Sequence, residues 1–581
     1  MQLVVDDKRA GILAAEGHLL IEGGPGCGKT TIALRKALNL VDDMQPEQNL
    51  LFLSFSRAAV RQISDRMRDI FDTVSRQRIE IRTFHAFFLE LVRAHSPRVT
   101  GQAASFVAPD EEARRKFDYE GEWEPHTFDL ANAGTFVFDR LADSAAAMLE
   151  ASSDLRSLYA DAYPVVIVDE FQDTNIDQWR AVRALASAGA RIICLADPDQ
   201  RIFDEFVKGV DEHRLDELRS ELEPQEFDLT GDNHRSPASG LLDYANAVLV
   251  ADAAANVPDE LSKLTYIYGN QTSAAGHLAL SRVLGALQKG LGRPPSVAVL
   301  ATENSILAHL SEHLRAAFIT PSGSQIPAID HEFLFEPEQA AAAGYVVASI
   351  MEWPGLSRSD AIERTVTAAI DFYRTIGGTS ARKKAGVLRR GLDAVQRNKT
   401  ILSKDIKILL AAYDAGVAMT GVPVGDWQVA RSVLHGSKDL QAMFDRVRHL
   451  RLLRATDDLA WGLSEVWDGV GSYRGAESTV RDILTARILD DSRTPPSDVV
   501  LMNMHKSKGK EFDGVVILEG VFSAELLARA GDFAPRSARR RLLRVALTRA
   551  RHQVMLVRPA AAPDLMTVKV PAGLMDTVVD A

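Results

Sequence analysis

Short apolar runs alternate with helix-like segments through the first ninety residues of the chain. The runs HLLIEGG, NLLFLSFS and RIEIRTFHAFF contain stretches as long as buried strands, and the segments between them have the spacing of helices. Strands that alternate with helices in this way form βαβ units, whose strands lie parallel. The pattern therefore predicts an α/β domain with a parallel sheet at the start of the chain.

The strand pattern is interrupted twice by mainly helical sequence. YPVVIVDEFQDTN and ARIICLADPDQ resume the first sheet, and a second α/β pattern contains PSVAVLATEN, DVVLMNMH, GVVILEG and HQVMLV. We therefore expect two α/β domains, each with a helical insertion. The expected bounds are 1–92 and 161–235 for the first domain, 93–160 for its insertion, 236–355 and 496–565 for the second domain, 356–495 for its insertion, and 566–581 for a C-terminal tail.

Composition narrows the class of protein. Hydrophobic residues make up 46% and charged residues 25% of the 581 residues, as in soluble globular proteins, and no window approaches ~20 uninterrupted apolar residues. The N-terminus has acids where a signal peptide has basic residues, and the chain has two cysteines, so we expect a cytoplasmic protein without disulfides. A net charge of −12 argues against non-specific coating of nucleic acid but permits local basic grooves.

The stretch GGPGCGKT fits the phosphate-binding pattern G-x-x-x-x-G-K-[ST] between a strand and a helix. In such a loop the backbone N–H groups surround a polyphosphate, the lysine reaches the β- and γ-phosphates, and the hydroxyl ligates Mg²⁺. The alternative, a glycine-rich turn with a surface lysine, is disfavoured by the strand–loop–helix context. The predicted ligands are ATP and Mg²⁺, and the predicted binding residues are Gly23, Gly24, Pro25, Gly26, Cys27, Gly28, Lys29, Thr30 and Thr31.

An acidic pair, Asp169 and Glu170, follows the apolar run VVIV. The carboxyl ends of parallel strands form the ligand crevice of such sheets. There, one carboxylate can hold hydrated Mg²⁺ and its neighbour can accept a proton from the attacking water. The alternative is an ordinary acidic helix N-terminus. The phosphate-binding loop favours the catalytic interpretation.

The stretch RRRLLRVALTRAR, residues 539–551, raises a different question, because one of its arginines faces inward. A helical projection places Arg549 on the apolar stripe and Arg540, Arg544 and Arg551 on the opposite side. A buried guanidinium needs an anion, since its desolvation is costly. We therefore expect Arg549 to meet an anion, and the other three to lie on an outer face with solvent or acidic partners.

Nine stretches resemble, in order, the helicase motifs of the UvrD/Rep/PcrA group of superfamily 1. They are GGPGCGKT, FLSFSRAAVRQISDRM, RTFHAFF, VVIVDEFQDTN, LADPDQRIF, DNHRSP, VAVLATENSILAHLSEHLRA, MNMHKSKGKEFDGVVIL and RRLLRVALTRAR. The resemblance implies two RecA-like P-loop motor domains with parallel sheets, each with an inserted, mainly helical accessory domain. We name the first α/β domain motor 1 and the second motor 2. ATP would bind between them, with single-stranded DNA across their top.

The resemblance also implies roles for single residues. On motor 1, Lys29 and Thr30 would hold phosphates and Mg²⁺, and Asp169 would coordinate Mg²⁺. Glu170 would be the general base, and Gln200 would sense the γ-phosphate. From motor 2, Arg235 and Arg549 would be arginine fingers, and Glu511 would contact the ribose. The chemical need is to neutralise charge on the transferred phosphoryl group.

Contacts with single-stranded nucleic acid are expected at strand ends, where aromatic rings stack on bases and polar groups bind phosphates. The predicted residues are Phe55, Arg57, Thr83, Phe84, His85, Phe203, His505 and Lys508. For Phe55 and Phe84, packing in the core is an equal alternative, and His85 is open to the same interpretation.

The chain departs from the family pattern at several places, among them His234, which stands where the family has a tyrosine. Asp7 or Lys8 stands where the group has a glutamine that reads adenine, so adenine selectivity is open. Phe203 lies where a Ser-Ile-Tyr stretch and a Trp-Arg pair are expected, and Arg544 replaces an aromatic residue. The first insertion is short, and no nuclease constellation is evident.

From these features we expect an ATP-dependent DNA helicase or translocase that moves 3′→5′ on single strands and unwinds duplex DNA. Its partners would be single-stranded DNA, single-strand/duplex junctions and a nuclease or other DNA-processing protein, with no membrane. One alternative is a DNA-stimulated ATPase subunit that regulates a partner nuclease in a phage-defence or repair complex, with little unwinding of its own. The other is a relative that acts on RNA or remodels RNA polymerase.

Overall fold

The computed structural model describes residues 6–107, 112, 115–116, 119, 121–202, 209–230, 240–334, 337–376, 378–447, 456–490, 498–521 and 523–568. The chain divides into two compact units. The first unit comprises Met1–Phe106, Thr127–His331 and Asp498–Ala581, and the second comprises Val107–His126 and Glu332–Ser497. Over the described ranges, no helix is both long enough and apolar enough to cross a membrane.

The strands are short and distributed along the chain as follows: β1 Leu19–Glu22, β2 Leu50–Ser54, β3 Ile79–Thr83, β4 Ser105–Val107, β5 Thr135–Val137, β6 Val165–Val168, β7 Arg191–Ala196, β8 Gln225–Asp228, β9 Leu261–Tyr266, β10 Val297–Ala301, β11 Phe318–Ile319, β12 Gln325–Ile326, β13 Glu332–Leu334, β14 Val499–Asn503, β15 Phe512–Leu518 and β16 Ala550–Pro559.

The α-helices over the described residues are α1 Asp7–Ala14, α2 Lys29–Asp42, α3 Arg57–Ile70, α4 Thr73–Gln77, α5 Phe84–Thr100, α6 Trp123–Asn132, α7 Leu141–Ala151, α8 Ser153–Ala162, α9 Ile176–Ser187, α10 Arg214–Leu222, α11 Leu241–Val250, α12 Thr272–Leu291, α13 Asn304–Leu314, α14 Pro337–Met351, α15 Arg358–Ile376, α16 Gly378–Gln396, α17 Lys404–Ala415, α18 Pro423–Ser432, α19 Lys438–Val447, α20 Thr456–Glu465, α21 Ala476–Asp490 and α22 Ala538–Leu547.

The first unit contains two parallel sheets. The sheet of motor 1 has the strand order β3-β2-β6-β7-β1-β8, and every adjacent pair is parallel. Within this unit, the sheet of motor 2 has the order β14-β10-β15-β16-β9, again with parallel pairs. The predicted α/β class with two RecA-like domains is confirmed.

The core of motor 1 covers both faces of its sheet. Along β6, Val166 and Val168 pack in one apolar cluster, whereas Val165 and Ile167 pack in the other. Successive side chains of a strand point to opposite faces, so a strand buried on both faces needs an unbroken apolar run. The run VVIV therefore fixes β6 in the middle of the sheet, and the residues that follow it emerge at the sheet's carboxyl edge.

The second unit is mainly helical over its described residues. Residues 340–351 of helix α14 are buried, and the helix packs against α15 and α21. This burial explains why α14 groups with the second unit, although the sequence-based bounds placed it in motor 2. The domain bounds themselves stay a prediction.

Candidate active site

The phosphate-binding loop connects the end of β1 to α2 and depends on glycine at several positions. Gly26 and Gly28 have φ angles of 82° and 90°, in the left-handed region that side chains disfavour. At Gly23, a Cβ atom would lie 2.5 Å from Sγ of Cys27. The loop can therefore close tightly and leave its backbone free to approach a ligand.

Lys29, the first residue of α2, points back into this loop. Its Nζ donates to the carbonyl oxygens of Gly23 and Gly24, at 2.6 and 3.2 Å. Burial favours the neutral amine, but the electrostatic contributions of nearby acidic groups outweigh it and raise the pKa of Lys29. These groups are Cys27, Asp197, Glu170 and Asp169. A charged ammonium held inside a glycine loop suits the oxygens of a polyphosphate.

Arg9, which lies outside the recognised motifs, contacts the backbone of the phosphate-binding loop. Its buried guanidinium donates from Nη2 to the carbonyl oxygen of Cys27 at 2.9 Å. The same guanidinium pairs with Asp6, which caps the N-terminus of α1. In the sequence, Arg9 lies close to the position at which the family has its adenine-reading glutamine, and this proximity could have indicated a role near the nucleotide.

The acidic pair lies at the carboxyl end of β6, as predicted. Asp169 is buried, and its backbone N–H donates to the carbonyl oxygen of Leu53 on β2 at 3.0 Å. Glu170 adopts φ 53° and ψ 41°, a left-handed conformation that costs a residue other than glycine about 1–3 kcal/mol. Such strain is typical of functional positions, because the surrounding structure must hold it.

The two carboxyl groups have different electrostatic environments. Burial, and then the charge of Glu170, raises the pKa of Asp169. Burial acts in the same direction on Glu170, but the ammonium groups of Lys508 and Lys29 outweigh it and lower the pKa of Glu170. Glu170 is therefore ionised near neutral pH and can accept a proton. Asp169 is buried, and a bound cation would stabilise its ionised carboxylate.

Gln172 links the ends of β6 and β7. Its Nε2 donates to Oε2 of Glu170 at 2.6 Å, and its Oε1 accepts from the backbone N–H of Asp197 at 3.0 Å. Asp197 in turn accepts from Nε2 of Gln200 at 2.7 Å. The general base predicted for motor 1 and the predicted γ-phosphate sensor thus belong to one hydrogen-bonded chain.

Arg549 of motor 2 reaches this chain. Its guanidinium is buried, with 2% of the residue exposed, and donates from Nη2 to Oε1 of Gln200 at 3.2 Å. A second bond from Nε to the carbonyl oxygen of Val545, at 2.9 Å, fixes the side chain against its own helix. The expected burial of Arg549 is confirmed. Its role as an arginine finger stays a prediction.

Lys508 of motor 2 also enters the site, whereas the sequence analysis placed it on the nucleic-acid track. Its Nζ lies 3.2 Å from Oε2 of Glu170, donates to the carbonyl oxygen of Gln200 at 2.7 Å, and pairs with Asp173. Only 8% of the side chain is exposed. In this arrangement the ammonium of Lys508 neutralises the carboxylates of Glu170 and Asp173 beside β6. The position of Lys508 within its sequence motif did not indicate this role.

The expectation that Arg540 and Arg544 lie on an outer face is wrong. Arg540 is completely buried, and it donates to backbone carbonyl oxygens of Val248, Phe533, Leu565 and Thr567. Arg544 is 5% exposed and pairs with Asp197 at 3.3 Å. Helix α22 packs on α11 on one side and on the turn Pro198–Gln200 of motor 1 on another, so it has more than one buried face.

Arg551 fits the expectation better. Its side chain is 44% exposed and pairs with Oε2 of Glu511 at 3.0 Å. Oε1 of Glu511 lies 3.5 Å from Arg66 on α3 of motor 1. The predicted ribose contact of Glu511 stays a prediction.

The predicted nucleic-acid residues of motor 1 divide between core and surface. Phe84 is 1% exposed and packs in the core, so the core interpretation is correct for it and the stacking prediction is not. Phe55 is half-buried, with its ring centroid 5.2 Å from that of Phe84. His85 is exposed and stacks on Phe138 with ring centroids 5.0 Å apart and an interplanar angle of 10°.

Other residues of this predicted track have local structural roles or lie elsewhere. Oγ1 of Thr83 accepts from the backbone N–H of Ala86 and caps α5, which is a common role for threonine. Arg57 begins α3. Phe203 and the predicted arginine finger Arg235 lie outside the described residues.

His505 of motor 2 is half-buried beside the end of β14. Its Nδ1 lies 2.9 Å from Oδ1 of Asn503. Burial, and then the positive charge of Arg539, lowers the pKa of His505 to about 4. The ring is therefore neutral near pH 7, so any contact with a phosphate would be a hydrogen bond without the charge of an imidazolium.

Known protein families match the chain in the regions of both motors. A model described as AAA domain matches residues 8–204, and one described as UvrD-like helicase C-terminal domain matches residues 498–557. These two matches cover the phosphate-binding loop, the acidic pair and Gln200 in the first region, and Lys508 and Arg549 in the second.

Several curated proteins are similar over longer stretches. The putative ATP-dependent DNA helicase YjcD of Bacillus subtilis is 22% identical over 95% of this chain and 78% of its own length. The ATP-dependent DNA helicase PcrA of Leuconostoc citreum is 22% identical, but the match covers 42% of this chain and 39% of PcrA. The ATP-dependent DNA helicase Rep of Buchnera aphidicola subsp. Baizongia pistaciae is 21% identical over 42% of each chain. With nine motifs in order and two parallel sheets, the matched models and the names of these relatives show that the chain is similar to the UvrD/Rep/PcrA-like family of superfamily 1.

Proposed function

We propose that the protein is an ATP-dependent DNA helicase or translocase that moves along single-stranded DNA and unwinds duplex DNA. The observation that carries this proposal is that side chains from two RecA-like sheets meet at one phosphate-binding loop. Gln200 of motor 1 bonds Arg549 of motor 2, and Glu170 of motor 1 faces Lys508 of motor 2. The names of the relatives support the same function. The proposed 3′→5′ polarity rests on the resemblance alone.

The site residues of motor 1 have distinct roles in ATP hydrolysis. The glycine loop surrounds the phosphates with backbone N–H groups, and Lys29 donates to the β- and γ-phosphate oxygens. Ionised Glu170 orients the attacking water and accepts its proton. Thr30 and buried Asp169 would hold Mg²⁺, which supplies positive charge to the phosphate oxygens.

Motor 2 makes hydrolysis depend on the contact between the motors. Arg549 stabilises the charge that develops on the transferred phosphoryl group, and it can do so only while α22 lies against motor 1. Closure around ATP and reopening after hydrolysis would then shift the two motors along a bound single strand. Phe55 and His85 provide rings at the surface of motor 1 that can stack on bases.

A strand-displacement assay with the full chain tests this proposal. Duplexes with a 3′ tail, a 5′ tail or no tail are incubated with ATP and Mg²⁺, while phosphate release is followed in parallel with single-stranded DNA or RNA. We expect DNA-stimulated hydrolysis and displacement from the 3′-tailed duplex. Lys29→Ala serves as the inactive control.

The other outcomes separate the alternatives. Hydrolysis without displacement would favour an ATPase subunit that regulates a partner protein, and stimulation by RNA in place of DNA would favour a relative that acts on RNA. Displacement from only the 5′-tailed duplex would contradict the proposed polarity while leaving the motor function intact.

A further inference from the structure

Arg544 carries a hydrogen-bonding group that the contacts described so far do not use. Its Nε donates to Oδ1 of Asn246 at 2.8 Å, and its Nη1 lies 3.3 and 3.4 Å from the two carboxylate oxygens of Asp197. Among the described residues, its Nη2 has no hydrogen-bond partner. This nitrogen lies 3.8 Å from the position that a Cβ atom of Gly24 would occupy. An unpartnered donor of a 95% buried side chain thus faces the phosphate-binding loop.

The ion pair that holds Arg544 is a weak competitor for this guanidinium. Its N–O distances of 3.3 and 3.4 Å exceed the 2.7–2.9 Å or so that is usual for charge-assisted hydrogen bonds. Asp197 also accepts from Nε2 of Gln200 at 2.7 Å and from the backbone N–H of Asp199 at 3.1 Å. Nη2 itself is not fully enclosed, so it can exchange solvent for an anionic acceptor at the loop, and a charge-assisted hydrogen bond to such an acceptor is stronger than one to a neutral partner.

The position of Arg544 indicates which acceptor this would be. The side chain lines a cavity of about 910 Å³ between motor 1 and α11 of motor 2. Most charged residues of that cavity are acidic and would repel phosphate. They are Glu22, Asp197, Asp199, Asp228, Asp243 and Asp252. Arg544 adjoins the glycine end of the loop, where the ammonium of Lys29 already bonds Gly24, so the acceptor expected there is a phosphate oxygen.

We propose that Arg544 is a further nucleotide-contacting residue, whose Nη2 donates to the terminal phosphate of a nucleoside triphosphate in the P-loop. Asp197 holds the guanidinium in place before the nucleotide binds. This proposal rests on the proposed function, because it requires that the loop bind a triphosphate. It gives motor 2 a further arginine at the nucleotide, beside Arg549 and the predicted finger Arg235, at a position where the family has an aromatic residue.

Calorimetric titration of the full chain with ATPγS and with ADP, in the presence of Mg²⁺, tests the proposal. We expect Arg544→Gln to weaken ATPγS binding by at least about tenfold, the size of one charge-assisted hydrogen bond, and to weaken ADP binding by less than about threefold. Arg558→Gln is the matched control. Arg558 is also a buried arginine, ion-paired with Glu519 at the far end of β16, so its loss should lower stability without changing nucleotide affinity.

Arg544→Lys separates a nucleotide contact from a structural role. Lysine keeps a positive charge opposite Asp197 but removes the second nitrogen of the guanidinium fork. The proposal expects at least about threefold weaker ATPγS binding, whereas a purely structural ion pair predicts wild-type affinity. Thermal unfolding of each variant verifies that it is folded. If Arg544→Gln does not fold, the ATPγS affinity of Arg544→Lys alone tests the proposed contact.

Three results would overturn the proposal. If both Arg544 variants bind ATPγS as the wild type does, Arg544 does not contact the nucleotide, and the proposed function is unaffected. If affinity for ATPγS and ADP falls equally, the contact is not with the terminal phosphate. If the wild-type protein binds neither nucleotide, the proposed function fails as well.

Discussion

Motor 1 and motor 2 bring opposite charges to the nucleotide site. Motor 1 provides mainly acceptors, and motor 2 provides cations, each of which has an acceptor on motor 1. The pairs are Lys508 with Glu170, Arg544 with Asp197, and Arg549 with Gln200. Phosphate oxygens between the motors would compete for the same cations. In the proposed mechanism, motor 1 binds the nucleotide and prepares the water, whereas motor 2 supplies charge only when the two motors are in contact.

The largest effect is expected on the motor 1 side, from Lys29→Ala. The variant removes the ammonium that the loop encloses, so both nucleotide affinity and turnover should fall below detection. ATPγS titration and phosphate release measure the two quantities. The exposed Lys289 of α12 gives a control, since Lys289→Ala should retain both. Normal turnover in Lys29→Ala would exclude this loop as the site.

Glu170→Gln should abolish turnover while ATPγS remains bound. The amide cannot accept the proton of the attacking water, but it leaves the loop and Lys29 in place. Phosphate release and ATPγS titration on the same sample distinguish the two effects. Retained turnover would assign the base to another group.

On the motor 2 side, Arg549→Ala should lower kcat on the order of 10³-fold, by analogy with other arginine fingers. Nucleotide affinity should change far less, because motor 1 holds the phosphates. Steady-state phosphate release at saturating single-stranded DNA measures this. A loss of DNA affinity with unchanged kcat for the bound complex would contradict the assignment.

A smaller effect, on pH dependence, is expected from Lys508→Ala. The general base is active only when ionised, and Lys508 helps to keep the pKa of Glu170 low. Without that ammonium the pKa of Glu170 rises, so the acid limb of the kcat profile should move to higher pH by about one unit. Lys506→Ala, two residues earlier, serves as the control and should leave the limb in place. An unchanged limb in Lys508→Ala would show that Lys508 does not act on the base.

Features that depend on local sequence were predictable. The alternation of VVIV-like runs with helices specified parallel sheets, because buried strands need continuous apolar residues. The glycine spacing specified the loop. The desolvation cost of a guanidinium predicted that Arg549 would meet an anion; its side chain is buried, but it donates to neutral oxygens of Val545 and Gln200. The contact between Arg549 and Gln200 was not predicted, since the two residues are 349 positions apart.

Features that depend on the packing of one motor against the other were not predictable from a single sequence. A helical projection divides α22 into one buried and one exposed face. Arg540 is nevertheless buried by contacts outside motor 1, and Arg544 is buried where α22 meets Asp197 of motor 1. Lys508 was misplaced for the same reason. The charge of motif residues is visible in the sequence, but the direction in which they point across an interface is not.

The contact between Arg9 and the carbonyl oxygen of Cys27 makes the first helix part of the nucleotide site. An affinity tag or a proteolytic cut that unwinds α1 would withdraw the arginine and leave that carbonyl without this donor in a buried setting. Preparations that differ only in their first dozen residues should therefore differ in ATPase activity, although the phosphate-binding motif is the same. Tagging near the end of the chain avoids this source of variation.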